Sequence, residues 1–336
     1  MLNYIIRRTL LMFPTLIGMT FIIFSVIRMA PGLTTAGGSF APGMLGAHQA
    51  QLAEEHFMER RLHLVKRNGK PIPLVMQYVD WIDRILHGDL GTSIKFSEPV
   101  TKLVMQRLPV TLAINIISLI IIYLVAVPGG LLAAIYRGRM VDRAFGIGSL
   151  VLYSLPVIWV GSMAIGFLAN PQYLNWFPSA GLHATNTSHM SYFQYVFDYA
   201  WHITLPVICL SYGGFAYLAK QVRGSYLENL FMDFTRTAKA KGLPPSAVIL
   251  RHVTQNSMLP MITIIGMTVP GLLGGSVIVE KIFSIQGMGR LMYQATYARD
   301  LPVIQSMALV TAAITLVCYL LVDIAYHAVD PRVTYD

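Results

Sequence analysis

Charged residues are scarce in this sequence of 336 residues. Asp, Glu, Lys and Arg make up 12% of the chain and hydrophobic residues 55%, whereas a soluble globular domain carries about 25% charged residues. Only two cysteines occur, Cys209 and Cys318, and both lie within apolar runs. This placement excludes a disulfide framework and a cysteine-based metal site. We interpret both as small hydrophobic residues of a core.

Two further features are missing. The chain has no Gly-x4-Gly-Lys-Ser/Thr sequence, which forms the phosphate-binding loop of many ATPases. The pairs Gly37-Gly38 and Gly129-Gly130 do not resemble such a loop either, so we expect no ATP cofactor on this chain by that route. A convincing internal repeat is also absent, which counts against transporters built from inverted repeats.

Long apolar runs predict about six transmembrane helices, since one crossing takes about 20 apolar residues. The first run follows Arg7 and Arg8 and is longer than the apolar region of a cleavable signal peptide, so we predict a retained helix. The predicted spans are residues 10–29, 111–136, 147–168, 203–219, 261–279 and 305–326. Prolines predict kinks within four of these runs, at Pro128, Pro156, Pro206 and Pro270.

The basic residues predict the orientation of the chain. With the N-terminus in the cytoplasm, the segments on that side collect most of the Lys and Arg residues, whereas residues 169–202 contain none. An excess of Lys and Arg is typical of cytoplasmic loops. The basic segment of residues 30–108 does not contradict this, because loops longer than about 60 residues cross the membrane largely regardless of charge. We therefore predict that both termini are cytoplasmic.

A short helical pattern lies in the segment predicted to be outside the membrane. Apolar residues recur at helical spacing until His87-Gly88, at Val75, Tyr78, Val79, Ile82, Ile85 and Leu86. This pattern predicts a small helical cap. The predicted organisation is a first helix at residues 1–29, an extracytoplasmic cap at 30–108, and a five-helix core at 109–336 with a cytoplasmic loop at 220–260.

A polar and basic interruption at residues 226–260 is too long for a simple turn between two spans. Its first part predicts a helix, and Gly242-Leu243-Pro244-Pro245 ends that helix, because glycine adopts the left-handed cap conformation and proline prevents continuation. A second helix is predicted to begin near Ser246. The apolar face of the first helix is predicted to comprise Leu230, Phe231, Phe234 and Ala238.

This interruption resembles the EAA loop by which membrane subunits of ABC importers dock onto their ATPases. The resemblance rests on Arg236-Thr237-Ala238 followed by Gly242. The string of residues 236–243, continued by 251–253 and 256–260, resembles the B-type permease of oligopeptide and dipeptide importers. Gln255 stands where the common EAA pattern has proline, and Leu259-Pro260 follows the spacing of the peptide-importer branch. The ATPase-coupling residues implied are Asp233, Arg236, Thr237, Ala238, Lys239, Ala240, Lys241, Gly242 and Leu243.

The same family resemblance continues along most of the chain. Two departures are Gln286, where a proline is usual, and Leu301, where an aromatic residue is usual. Residues 198–206 resemble a sub-branch linked to oligopeptides and peptide-like antibiotics. The other matching strings are Gly88-Asp89-Leu90-Gly91-Thr92-Ser93, Leu108-Pro109-Val110-Thr111, Glu280-Lys281-Ile282-Phe283, Gly287-Met288-Gly289, Arg299-Asp300 and Asp330-Pro331-Arg332, with Ala30-Pro31-Gly32 near the N-terminus.

The resemblance implies an all-α integral membrane protein, a type I ABC importer permease bundle with an extracytoplasmic helical cap and a cytoplasmic coupling helix. It implies a multi-pass subunit of the bacterial cytoplasmic (inner) membrane that imports peptides and catalyses no reaction. Its partners would be a second homologous permease subunit, two ATPase subunits that bind ATP and Mg, an extracytoplasmic peptide-binding protein and the lipid bilayer, with no nucleic acid. Nickel chelates or peptide-like antibiotics remain alternative solutes.

A competing interpretation is an intramembrane hydrolase. Ser154, Ser162 or Ser211 would then need a histidine base within reach, yet His202 and His327 lie near the ends of their spans. An ion-coupled carrier is a further alternative. Asp323 and His327 lie four residues apart and share a helical face, and ionisable residues inside a membrane are candidates for function. We interpret Asp323 as a structural, paired carboxylate.

The charge distribution predicts which segments are accessible from each side of the membrane. A cysteine placed at Lys241 should react only with reagent added from the cytoplasm, and one placed at Gly91 only from outside. Impermeant thiol reagents, applied to intact cells and to inverted membranes, measure this. Labelling of position 241 from outside would rule out an ATPase-docking role for the loop.

Overall fold

The computed structural model describes residues 2–29, 72–273 and 275–329, and nearly all of their regular structure is helical. The first six helices are α1 Leu2–Met29, α2 Leu74–Leu86, α3 Val100–Ile135, α4 Met140–Ser154, α5 Val157–Met163, which continues as a π-helical turn at Ala164–Leu168, and α6 Tyr192–Leu230. The remaining helices are α7 Asp233–Ala240, α8 Pro245–Ala247 with a π-helical continuation at Val248–Val253, α9 Thr254–Leu273, α10 Val277–Ile282, α11 Met288–Tyr297 and α12 Leu301–Val329.

The described chain has four helices that are long and apolar enough to cross a membrane. They are α1 from Ile6, α3, α6 and α12 as far as Ile324, and a fifth span results if α4 and α5 are counted as one broken crossing. The helical membrane fold is therefore confirmed. The number six stays a prediction.

The kink predicted at Pro156, within the span predicted at residues 147–168, is confirmed and divides this stretch into two helices. α4 and α5 meet at an angle of 92°. Leu155 takes an extended conformation (φ −78°, ψ 125°) directly before Pro156, as expected where a proline ring disfavours helical geometry in the preceding residue. In contrast, α3 and α6 run on as single helices through Pro128 and Pro206.

α6 is longer than the predicted span at residues 203–219. Its 39 residues correspond to about 58 Å at 1.5 Å per residue, which exceeds the thickness of about 30 Å of a bilayer core. A capping box fixes its start, because Ser191 Oγ accepts from the Gln194 backbone N–H at 3.4 Å and Gln194 Oε1 accepts from the Ser191 N–H at 2.9 Å. The Ser-x-x-Gln signal therefore marks a helix start inside the predicted loop.

The chain divides into two compact units, described separately here. The core unit comprises residues 108–290 and 315–329, and the N-terminal unit comprises residues 2–29, 72–107 and 291–314 among those described. The predicted segmentation at residues 29 and 108 concerns membrane topology and stays a prediction. Residues 30–32 and 330–332, which carry two of the matching strings, lie outside the described residues.

In the core unit, α3 and α6 approach closely through two glycines. A Cβ atom added at Gly130 of α3 would lie 2.8 Å from Val222 Cβ of α6, and one added at Gly214 of α6 would lie 2.7 Å from Ile122 Cδ1 of α3. Each helix therefore accepts a branched side chain of the other where it has no side chain of its own. Small residues at such contacts allow close backbone packing of membrane helices.

In the N-terminal unit, α2 packs on α1 through aromatic side chains. Phe24, Tyr78 and Trp81 are buried, and their ring centroids lie 5.3–6.0 Å apart. The Tyr78 hydroxyl donates to the Ile17 carbonyl at 3.1 Å. The predicted helix and its end at His87-Gly88 are confirmed, with Gly88 at φ +81°. The predicted apolar face is only partly buried, since Val75, Val79 and Leu86 are exposed.

Asp300 joins two of the matching strings within the N-terminal unit. Its side chain is fully buried, and Oδ2 accepts from the Ser93 hydroxyl at 2.5 Å and from the Lys95 backbone N–H at 3.1 Å. The Ser306 hydroxyl donates to the Leu90 carbonyl at 2.9 Å. The Arg299-Asp300 string and the Gly88–Ser93 string are thus two halves of one hydrogen-bonded structure.

Removal of the Asp300 carboxylate should destabilise the N-terminal unit. Asp300→Ala leaves a buried hydroxyl and a backbone N–H without their charged acceptor, which costs about 2 kcal/mol. We expect a lower melting temperature of the purified protein in detergent. Asp83→Ala is the control, because the Asp83 side chain is 70% exposed. Equal melting temperatures for Asp300→Ala and the parent protein would contradict this role.

Candidate functional site

The candidate site, residues 226–260, forms the helix, turn and helix expected from its sequence. α7 ends at Ala240 with Lys241 as its cap, and Gly242 follows with φ +76°. The Gly242 N–H donates to the Lys239 carbonyl at 3.0 Å and the Leu243 N–H donates to the Ala238 carbonyl at 3.4 Å. This pair of bonds is the Schellman motif, which requires a left-handed residue at the position of Gly242. Pro244 and Pro245 then start the next helix.

The predicted apolar face of α7 needs correction. Leu230 is the last residue of α6 and Phe231 is its cap, so neither belongs to α7. Thr235 and Ala238 are the buried residues of α7. Ala238 packs with Val248 and other residues of the core unit, so this predicted coupling residue is not open to another protein surface.

The remaining predicted coupling residues lie on the outside of the segment. We use the name α7 surface for the exposed coupling residues together with the exposed apolar side chains of the same segment. It combines cations with apolar side chains that are 38–67% exposed. Such a mixture of Phe, Met and Arg is typical of protein interfaces. The exposed coupling residues are Asp233, Arg236, Thr237, Lys239, Ala240, Lys241, Gly242 and Leu243. Phe231 and Phe234, which the sequence interpretation placed on the apolar face, are exposed, and so are Met232 and Leu250, which it did not include.

The segment is fastened to the long helices on either side of it. The Thr235 hydroxyl donates to the Asn229 carbonyl at 2.8 Å. Tyr226 of α6 is fully buried, and its hydroxyl donates to Thr254 Oγ1 of α9 at 3.1 Å. One turn away, the Ser225 hydroxyl donates to the Ser257 carbonyl at 3.3 Å. The short helix α7 is therefore hydrogen-bonded to the end of α6 and packed into the cluster in which α6 and α9 contact each other.

A buried carboxylate lies between several core segments, and the sequence interpretation did not identify it. Glu280 is 5% exposed, and it accepts from the Thr111 hydroxyl at 3.1 Å and from the Arg290 backbone N–H at 2.6 Å. A Cβ atom at Gly275 or Gly287 would overlap the Glu280 carboxylate. The sequence did contain a signal for this site, because Glu280 and Gly287 lie in two neighbouring strings that match the family and Thr111 lies in a third.

The hydrolase alternative finds no support in the geometry. The hydroxyls of Ser154 and Ser211 donate to the backbone carbonyls of Leu150 and Ser118. His202 Nδ1 lies 2.8 Å from the Asp198 carbonyl oxygen. The part of the chain that the structure describes also holds no cluster of three His, Cys, Asp or Glu side chains suited to a metal ion.

The role of the Asp323 and His327 pair stays a prediction. Both residues lie in α12, as the four-residue spacing requires for a shared helical face. Asp323 takes part in an interaction of its own within the protein. The His327 side chain lies outside the described part of the structure.

Curated relatives match the whole chain. It is 35% identical over its full length, and over the full length of the relative, to the oligopeptide transport system permease protein AppB of Bacillus subtilis strain 168. It is 34% identical to the dipeptide transport system permease protein DppB of Escherichia coli strain K12, covering 100% of this chain and 99% of the relative.

A solved structure and a family model agree with these relatives. The fold is similar to a chain of the methionine ABC transporter MetNI, with a TM-score of 0.52 and 18% identity over 70% of this chain and 99% of that one. The family model described as binding-protein-dependent transport system inner membrane component matches residues 126–335. The chain therefore belongs to the family of inner membrane components of binding-protein-dependent transport systems.

Proposed function

We propose that this chain is the permease subunit of an ABC importer that moves oligopeptides or dipeptides from an extracytoplasmic binding protein across the inner membrane. The names of two full-length relatives support a peptide solute. The observation that carries the coupling role is the α7 surface. It presents exposed apolar and cationic side chains on a short helix that is fastened to α6 and α9.

The proposed partners follow from what this chain presents. Two ATPase subunits bind ATP and Mg, and one of them docks on the α7 surface. Within residues 233–243, the exposed cations Arg236, Lys239 and Lys241 outnumber the one carboxylate, that of Asp233, so the matching ATPase surface is acidic or neutral. A second related permease completes the membrane pathway. Both termini and the α7 surface face the cytoplasm in this arrangement.

Coupling then works through a rigid connection. Closure of the ATPase pair displaces α7, which cannot move alone because Thr235 and Ala238 are buried against the same chain. The displacement passes through the buried Tyr226 to α6 and α9. Rigid-body movement of packed helices is a common form of domain closure. This movement alternates access to a pathway between the two permeases.

Gly242 provides the sharpest test of ATPase docking. Gly242→Asp places a residue with a side chain in the left-handed backbone conformation, which costs about 1 kcal/mol of folding free energy. The added Cβ atom meets nothing within 4 Å in this chain. The added carboxylate instead projects toward the docked ATPase. We expect membrane levels to persist while peptide uptake and the co-purified ATPase fall about tenfold, as measured by radiolabelled peptide uptake and quantitative pull-down.

The matched control is Gly88→Asp. Gly88 also has a positive φ, +81°, with nothing within 4 Å of an added Cβ, so the backbone cost is the same at a site far from α7 in sequence. ATPase recovery should stay at the parental level with this control. Normal ATPase recovery and normal uptake with Gly242→Asp would mean that the glycine only ends a helix.

The exposed strip of α2 tests where the binding protein docks. Val75, Val79 and Leu86 lie within about 40° of one another around the helix axis at 100° per residue, and they are 60%, 58% and 79% exposed. The double variant Val79→Asp with Leu86→Asp should lower uptake and raise the Kd for the binding protein, because it places charges in an apolar contact.

The control for this strip is Asp80→Asn, an exposed position on another face of α2. Its binding-protein affinity, measured by surface plasmon resonance on the complex in nanodiscs, should match the parent. Membrane levels of both variants are compared by immunoblot. An unchanged Kd for the double variant would exclude α2 from the docking interface.

A further inference from the structure

A groove between α4 and α6 in the core unit has no role in the proposed coupling. Its cavity volume is about 720 Å³. Apolar side chains form most of its wall, and three of them, Ile147, Leu150 and Tyr153, are more than 60% exposed. The lining consists of Asp142, Arg143, Phe145, Gly146, Ile147, Ser149, Leu150 and Tyr153 from α4 and Ala216, Tyr217, Lys220, Gln221 and Arg223 from α6.

The charges of the groove are concentrated at one end. Asp142 is buried and accepts from Arg223 through Nε at 2.5 Å and Nη2 at 2.9 Å, so these two charges cancel. Arg143 and Lys220 are exposed, and neither has an ion-pair partner among the described residues. This end of the groove therefore carries two uncompensated positive charges.

The length of the apolar part matches one leaflet of a bilayer. Tyr153 follows Arg143 by ten residues in α4, which is about 15 Å along the helix axis and half of the thickness of about 30 Å of the hydrocarbon core. α4 ends at Ser154, and the chain turns by 92° into α5. The apolar part of the groove, measured from its cationic end, is thus about as long as one leaflet of the hydrocarbon core is thick.

We propose that this groove binds an anionic phospholipid, with its phosphate between Arg143 and Lys220 and one acyl chain along Ile147, Leu150 and Tyr217. Basic pockets between transmembrane helices recognise anionic lipid head groups. The two uncompensated cations select a lipid with net negative charge over a zwitterionic one. This site is separate from the α7 surface and does not depend on which solute the protein transports.

The chemistry of the groove argues against a peptide as its occupant. A peptide backbone brings a donor and an acceptor with each residue, and these must be paired when buried. Away from its charged end, the groove offers only the hydroxyls of Ser149, Tyr153 and Tyr217. An acyl chain needs no such partners, and burial of its apolar surface is favourable in itself.

The test measures lipids retained by the full chain with its co-purifying subunits. The complex is incubated with mixed vesicles of phosphatidylglycerol and phosphatidylcholine, and bound lipid is counted by native mass spectrometry. We expect at least a tenfold preference for phosphatidylglycerol. The double variant Arg143→Gln with Lys220→Gln should lose this preference, because neutral amides remove the two charges that select an anionic head group.

Two single variants complete the design. Gly146→Phe should abolish retention of both lipids, because Gly146 lines the groove and an added Cβ meets nothing within 4 Å, so the ring occupies the groove without displacing the protein. Arg139→Gln should retain the parental preference, since Arg139 precedes α4 and does not line the groove.

Three results would overturn the site. The first is equal retention of the two lipids by the parent, and the second is parental preference in the Arg143→Gln and Lys220→Gln variant. The third is a cross-link from a photoreactive residue at Leu150 to the second permease subunit instead of to lipid. Competition with a 50-fold excess of inorganic phosphate distinguishes a lipid site from a site for free phosphate. If phosphate alone displaces the lipid, the acyl chain contributes nothing to binding and the lipid site is excluded.

Discussion

The buried contact between Tyr226 and the start of α9 is the interaction on which the proposed coupling depends. Tyr226 fills the junction of three segments, with Ala238 of α7 and Val248 and Val253 of the π-helical stretch in the same cluster. Its hydroxyl reaches Thr254. Without this filled junction, α7 would be joined to the long helices only by covalent connections and by the hydrogen bond from Thr235 to the Asn229 carbonyl. A flexible connection dissipates a displacement, whereas a close-packed one transmits it.

Buried carboxylates form hydrogen bonds that hold distant parts of the sequence together. Within the core unit, Glu280 joins Thr111 to the backbone of Arg290, and Asp142 joins Arg223 to the backbone of Gly138. Within the N-terminal unit, Asp300 joins Ser93 and Lys95. Charge-assisted hydrogen bonds of this kind are stronger than neutral ones. Removal of one hydrogen-bonding partner leaves a buried charge uncompensated. Each carboxylate therefore holds the segments that it joins in a single arrangement.

Local signals explain which parts of the fold are predictable from the sequence. The left-handed Gly242, the stop at Pro244-Pro245 and the helix ending at His87 follow from the conformational preferences of a few neighbouring residues. The inward position of Ala238 does not, because it depends on Val248 packing from the far side of the turn. The Glu280 carboxylate was equally inaccessible to local analysis, since its partner Thr111 lies 169 residues away.

The bounds of the predicted spans differ from those of the helices for a related reason. Hydropathy locates the apolar middle of α6 but not its ends, which continue as helix into polar sequence at Ser191 and Leu230. Hydropathy alone also does not separate one straight crossing from the pair α4 and α5, whereas Pro156 predicts the break between them. That difference depends on the backbone of Leu155 before Pro156. Composition indicates whether a segment lies in water or in lipid. The backbone conformation at residues such as Leu155 determines where the helix bends.

The exchanged glycines of α3 and α6 limit how this protein can move. Ile122 enters the gap at Gly214, and eight residues further along both helices Val222 enters the gap at Gly130. Because the two contacts advance in the same direction on both helices, α3 and α6 run parallel and their side chains interlock. A slip by one residue would drive a branched side chain into the opposing backbone. α3 and α6 must therefore tilt or rotate together as one rigid body, and the hinges of any conformational cycle have to lie in other parts of the protein.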